Sequence, residues 1–314
     1  LKITVFHEPW WLSAVSGGLV QESVVKRGNY VVGRLPYVFS RRGPFRLLRM
    51  PAFTHVLGPV VDSGDGKPQT RLTRRLAITQ QLIDQLPSTS ELKLCLDPSL
   101  DDGLAKIDGL AFQDRKCSVT PQFTFEIDCR RSLDDLLAAL DLKTRQHIRR
   151  AEKSYHVRAL DKPDVFIDFY LKNLAAFGRV SRIDFDNFPV LFSQCRVREC
   201  GVILSLFNEN GEPIAMTFLV WGHGTMYYLL STRSRHSHDS GAVSLLLWSA
   251  IKKAHDLGVF LDLDGIYSSG TARFLANFGG KLKTRLVVRR SRMPYRALQY
   301  VKAQYSDNES NFFT

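Results

Sequence analysis

No run of ~18 apolar residues occurs in the 314-residue chain, so nothing in the sequence reads as a membrane-crossing helix. Cysteine is scarce and unpatterned. Cys95, Cys117, Cys129, Cys195 and Cys200 form no C-x-x-C pair, and neither Cys195 nor Cys200 has a partner at zinc-ligand spacing. No metal site and no disulfide framework are expected, and the thiols read as free in a reducing compartment. The segment Leu1 to Glu8 lacks the long apolar stretch of a secretory signal, which makes the cytoplasm the expected location. No Ser-His-Asp or Cys-His nucleophile arrangement is recognisable. Acidic residues are also in deficit, with 31 Asp+Glu against 43 Lys+Arg and a net charge of +12. Such a field concentrates polyanions, nucleotides or tRNA among them, and could draw the protein to the inner face of the membrane.

What is present is ordinary globular material, 44% hydrophobic and 24% charged. The length suits about two domains at roughly 100–200 residues each. Pro9 opens a short helix, and strand-like runs follow over 19–26, 29–39 and 45–49, separated by Gly28-Asn29 and Arg42-Gly43-Pro44 turns. Leu72, Leu76, Ile78, Leu82, Ile83 and Leu86 recur at helical spacing over 70–86. A strand over 92–96, a short helix over 101–108 and an alternating strand over 119–127 come next. Ser132 and Asp135 form a capping-box-like start to a helix that runs on, or breaks and restarts, through Lys153.

The second half is the more regular. It predicts a strand over 157–160, helices over 164–177 and 184–195, and strands over 201–207, 214–221 and 225–230. Asn210-Gly211 marks a hairpin between the first two of these. A helix over 240–257, ended by Gly258, leads to a strand over 259–263, a helix over 271–278, a strand over 282–288 and a last helix over 294–305.

Two stretches carry a family resemblance. Lys143, Arg145, Ile148-Arg149-Arg150-Ala151-Glu152-Lys153 is similar to the "K-x-x-R-x-x-I-R-x-A-x-K" segment that opens the second unit of Fem-type transferases. Tyr227-Tyr228-Leu229-Leu230, Leu245-Leu246-Leu247-Trp248, Asp262-Leu263-Asp264-Gly265 and Arg273-Phe274-Leu275-Ala276-Asn277-Phe278-Gly279-Gly280 continue it. The chain resembles this family, and the acetyltransferase-like domain of proteins linked to polysaccharide biosynthesis, over roughly residues 140–290. The element order of the second half is also that of the acetyltransferase-like fold. One departure stands out: Leu275 occupies the place of a family lysine near the reacting groups.

The resemblance implies an α/β (α+β) fold of two tandem acetyltransferase-like (GNAT) units, each a mixed, mostly antiparallel sheet flanked by helices. The expected division is 1–139, 140–292, and a C-terminal helix and tail over 293–314 packing back on the first unit. It implies an N-acyltransferase acting on an amine of a cell-envelope or polysaccharide precursor, nucleotide- or lipid-linked sugars included. The co-substrate is acyl-CoA or, in the Fem alternative, aminoacyl-tRNA, with no tightly bound cofactor. The competing readings are a non-catalytic scaffold and a nucleic-acid-binding module.

Acyl transfer to an amine needs a base, a polarised carbonyl and close positioning; an activated donor needs no covalent enzyme intermediate. Asp262 and Asp264, two apart in a strand, share a face and form a candidate base and amine-binding pair. Tyr267, after the Asp264-Gly265 turn, is a candidate hydrogen-bond donor. Arg233, Arg235 and His236 precede a helix whose start, Ser240 and Gly241, would offer free N–H groups to a donor pyrophosphate. Arg145, Arg149 and Lys153 stack on one helical face, a candidate surface for an anionic acceptor. Tyr228 joins them, with the proviso that Tyr227 and Tyr228 point to opposite faces. Trp10, Trp11, Phe53 and His55 could line a pocket in the first half.

Overall fold

The computed structural model describes residues 2–181, 183–234, 240–266, 268–293 and 295–299. In chain order its elements are α1 (Pro9–Ser16), β1 (Val20–Arg27), β2 (Tyr30–Arg42), β3 (Phe45–Arg49), β4 (Val60–Val61), α2 (Pro68–Asp84), β5 (Glu91–Leu96), α3 (Ile107–Asp114), β6 (Ser118–Asp128), α4 (Leu133–Ala139), α5 (Leu142–Ser154), β7 (Tyr155–Leu160), α6 (Pro163–Ala176), α7 (Phe188–Val197), β8 (Gly201–Asn208), β9 (Pro213–Gly222), β10 (Thr225–Arg233), α8 (Ser240–Asp256), β11 (Phe260–Ile266), α9 (Ser269–Ala276) and β12 (Lys281–Ser291). The expected mixed α/β class is what the chain adopts. It forms two compact units: Leu1–Phe123 with Thr284–Thr314, and Thr124–Lys283. The chain passes from one to the other within β6 and returns within β12. The sequence reading placed these divisions at 139/140 and 292/293.

In the first unit the strands follow the order β1-β2-β3-β5-β12, with β4 on β2. Strands β1, β2 and β3 are the expected antiparallel meander, and β3 pairs β5 in parallel. Leu92, Leu94 and Leu96 of β5 and Val288 of β12 join Ile78 and Leu82 of α2 and Ala111 and Phe112 of α3 in one core. The short helix expected over 101–108 is instead a 3-10 turn, Asp101–Lys106, followed by α3. Asp102 and Gly103 take left-handed backbone angles and break that turn internally. Of the residues expected at a first-half pocket, Trp11 and Phe53 are buried, and the Trp11 indole N–H donates to the Thr54 hydroxyl at 3.2 Å.

In the second unit the order is β11-β10-β9-β8-β7, parallel between β10 and β11 and antiparallel elsewhere. The helix run after Ser132 breaks and restarts. Ser132 caps α4 by accepting from the Asp135 N–H, and Asp141 caps α5 by accepting from the Lys143 N–H. Helix α7 starts at Phe188, later than expected, with Pro189 in its first turn, where a missing N–H costs nothing.

Helices α5 and α8 cover one face of this sheet. Ile148 and Ala151 of α5 pack with Ala242, Leu245 and Trp248 of α8 over Met226, Leu261 and Leu263. Helices α6 and α7 cover the other, through Phe166 stacked on Phe188 and Phe188 edge-on to Phe218 of β9. Gly279 shows why a glycine ends the Phe278-Gly279 motif. Its φ is 73°, and a Cβ there would lie 2.7 Å from the Ala139 carbonyl oxygen. Leu275, at the family lysine's position, is buried in the α5–α8 core.

Candidate active site

The site candidates gather where β10 and β11 meet. Their parallel register runs Thr225–Phe260, Met226–Leu261 and Tyr227–Asp262. Two residues further along each strand, the backbone becomes irregular. In β10 the register with β9 slips between Tyr228 and Leu230, a bulge that inserts Leu229. In β11, Asp264 adopts φ 72°, a left-handed angle that a non-glycine residue rarely takes. Bulges re-aim side chains, and strained non-glycine residues cluster at functional sites. Here both occur at one level of two neighbouring strands.

Asp262 is 6% exposed and lies on the face opposite Leu261 and Leu263. Its Oδ1 accepts from the Thr124 hydroxyl at 2.7 Å and from the Asp264 backbone N–H at 2.9 Å. The carboxylate therefore pins the turn of the chain that carries Asp264. Asp264 is half-buried. The Tyr170 phenol of α6 lies in its field: burial, then the Asp264 carboxylate, push Tyr170 up to about 12. At neutral pH Tyr170 is thus a protonated hydrogen-bond donor. One helical turn on, the Asn173 amide donates to Thr232 of β10 at 3.2 Å. Aromatic packing fixes Tyr170, whose ring centroid is 5.2 Å from that of Phe185 and 6.0 Å from that of Phe166.

The structure brings Asp262 and Asp264 together with Tyr227 and adds Tyr170, Asn173 and Thr124, which sequence reasoning missed. Phe166, Tyr170 and Asn173 form a buried stripe on α6 at i, i+4 and i+7, and two polar residues on such a stripe were the available signal. The expected role of Tyr228 is corrected. Strand alternation turns Tyr228 into the core under α8, and burial there pushes its phenol up to about 12, against hydroxyl contacts from Thr217 and Ser231. Tyr227, not Tyr228, stands beside Asp262. Arg145, Arg149 and Lys153 are not brought to this site. Their helix, α5, packs with α8 on the other face, leaving Arg149 and Lys153 exposed and Arg145 half-buried.

On the donor side, Arg233 is exposed at the end of β10 and Ser240 begins α8, with Gly241 buried in its first turn. Arg235, His236 and Tyr267 lie outside the described residues. No group of His, Cys, Asp and Glu suited to a metal occurs among the described residues. No helix among them is long and apolar enough to cross a membrane.

The fold has known counterparts. The acetyltransferase (GNAT) domain model matches residues 110–266, half of the chain, and the chain belongs to that family. Its fold as a whole is Fem-like. The FemX crystal structure is similar over 95% of this chain and 94% of its own, at 14% identity and a TM-score of 0.67. L-PGS from Bacillus licheniformis is similar over 93% and 90%, at 10% identity and a TM-score of 0.55. A domain described as the C-terminal part of a lysylphosphatidylglycerol synthetase of Agrobacterium fabrum is similar over 92% and 89%, at 14% identity and a TM-score of 0.55. At these identities the likeness is one of fold. No curated protein sequence matches the chain. Membership of that family makes the protein an acyltransferase of the GNAT class.

Proposed function

We propose that this transferase moves an acyl group from acyl-CoA to an amine, with a cell-envelope or polysaccharide precursor as the acceptor. The observation that carries the reading is the paired irregularity of the strands, the Leu229 bulge beside the left-handed Asp264, with Tyr170 opposite. In this reading Asp264 takes the proton from the attacking amine. Asp262 holds the Asp264 main chain in its strained conformation and is a positioning residue. Tyr170 donates a hydrogen bond at the reacting centre, and its high proton affinity keeps it a donor. As the tetrahedral intermediate collapses, the carbonyl carbon–sulfur bond breaks and the thiolate of CoA leaves. The first turn of α8 and Arg233 receive the donor's pyrophosphate, as helix N-termini favour anions. Substrate alignment by this scaffold would lower the barrier by several kcal/mol.

A second reading keeps the site and changes the donor to an aminoacyl-tRNA. It is favoured by the likeness to FemX and to the lysylphosphatidylglycerol synthetase domain over nine-tenths of the chain. Thermal melting separates the two. A ligand that binds only the folded state at a hundred times its Kd adds about 2.7 kcal/mol. A salt-tolerant rise with one acyl-CoA, and release of free thiol when an amine is added, supports the first reading. A rise only with charged tRNA, weakening with salt, supports the second. No rise with any of them, together with unchanged behaviour of Asp264→Asn, would return the protein to the scaffold reading.

A further inference from the structure

The excess positive charge is not absorbed by the site above, and one face of the first unit's sheet concentrates it. On β5, Leu92, Leu94 and Leu96 point into the core beneath α2 and α3. Alternation turns Glu91, Lys93 and Cys95 to the opposite face. On β12, Arg289 lies directly across from Lys93 and Ser291 from Glu91. Arg49 reaches the same place from the end of β3.

Glu91 is 1% exposed and accepts from Arg49, from Arg289 at 3.0 Å and from the Gln299 amide at 2.7 Å. Burial alone would raise its carboxyl, but Gln299, Arg49 and Arg289 hold it below the usual range. That single carboxylate is already shared by two guanidinium groups. Lys93 sits beside them, half-buried, and its ammonium forms no ion pair among the described residues. Burial first, then Arg289, push Lys93 down; Glu91 pulls the other way and does not restore it. A cation placed against two others in a partly desolvated site is costly unless an anion arrives. The site is also open. The Arg49 and Arg289 side chains are 36% and 46% exposed, so solvent reaches the guanidinium edges that Glu91 leaves uncovered. The Tyr295 hydroxyl, which accepts from Arg49 at 2.6 Å, fixes that arginine's position.

We propose that Arg49, Lys93 and Arg289 form an anion site in the first unit that takes the phosphate or diphosphate group of a small ligand. Forked guanidinium groups and a compact ammonium are the donors that bind such groups. The site is built from residues of the first unit alone and does not rest on the proposed acyl transfer.

The test is calorimetric titration of the whole chain with inorganic phosphate, pyrophosphate and uridine diphosphate, repeated with Lys93→Gln, Arg289→Gln and, as a control, the exposed Arg27→Gln. The expected result is a pyrophosphate or nucleoside diphosphate component weakened about tenfold or more by Lys93→Gln and by Arg289→Gln, and unchanged by Arg27→Gln. Tenfold corresponds to about 1.4 kcal/mol. Tighter binding of uridine diphosphate than of pyrophosphate would identify a nucleotide-linked ligand; equal binding would identify the diphosphate group alone. A phosphate component from any other part of the chain would be untouched by both variants. Without anion, Lys93→Gln should melt above the parent, because it removes the uncompensated cation. Affinity unchanged in both variants, or no heat from any probe at millimolar concentration, would overturn the proposal. So would a Lys93→Gln chain that melts below the parent, since the ammonium would then already be satisfied.

Discussion

Both units bury carboxylates against their sheets, but the second uses one to set a strained backbone. In the first unit Asp108, 2% exposed, accepts from the Arg75 guanidinium through both oxygens, at 3.0 and 2.7 Å, and from Thr79 at 2.9 Å. Glu91 is likewise clasped by Arg49 and Arg289. In the second unit Asp262 is held by a hydroxyl and a backbone N–H. A carboxylate locked to arginine has its charge neutralised and serves packing. Asp262 instead fixes the backbone of a second carboxylate, by accepting from the Asp264 N–H. The difference teaches that buried charge by itself does not mark a catalytic centre. The strain of the backbone that a buried carboxylate holds in place is what distinguishes one.

The sharpest way to break that comparison is to remove an arginine clasp. Arg75→Met should cost about 3–5 kcal/mol, read by denaturant unfolding, because it strands the Asp108 charge. A loss below ~1 kcal/mol would mean that the pair is not needed and would erase the contrast. Next in size, Asp264→Asn should slow acyl transfer about a hundredfold or more while leaving the melting temperature nearly unchanged. A full-rate enzyme would return Asp264 to a turn residue. Tyr170→Phe should slow transfer about tenfold, through kcat rather than KM. A pure rise in KM would make Tyr170 a contact for bound substrate instead.

The last effect is a pH dependence. Tyr170 and Tyr228 are both raised to about 12 by burial. The folded state therefore holds these protons more tightly than the unfolded chain. Their contribution is full below about pH 10, the ordinary tyrosine value, and is lost as pH rises towards 12. Stability measured from pH 10 to 12 should fall, by up to about 1.4 kcal/mol per pH unit for each phenol. Tyr170→Phe should reduce that slope; an unchanged slope would show that Tyr170 is solvated.

Much of the fold was legible because local chemistry and burial agreed. Pro9 stands at a helix start, Ser132 caps α4, and Asn210-Gly211 turns β8 into β9. Ile78, Leu82 and Ile83 of α2 face the core as the periodicity required, while Leu72 is exposed. The break between α4 and α5 was left open by the sequence and decided by Asp141, whose side chain caps a new helix while its N–H donates to the Asn277 carbonyl. Half of the candidate site was legible in the same way. Asp262 and Asp264 could be singled out because a strand puts alternate residues on one face.

The sequence by itself determined the elements, their order, the family and the pair of aspartates, because capping, turn chemistry and side-chain alternation act over a few residues. Only the tertiary structure decided that Tyr227 rather than Tyr228 stands beside Asp262, since which face is buried under α8 depends on how the helices pack. It also decided that Asp264 turns left-handed and that Tyr170 comes to it from a helix more than ninety residues earlier. It placed Arg149 and Lys153 away from the site and gathered Arg49, Lys93 and Arg289 from three strands. These juxtapositions depend on strand register and helix packing between segments far apart in the chain, and no local pattern of residues encodes such a distance.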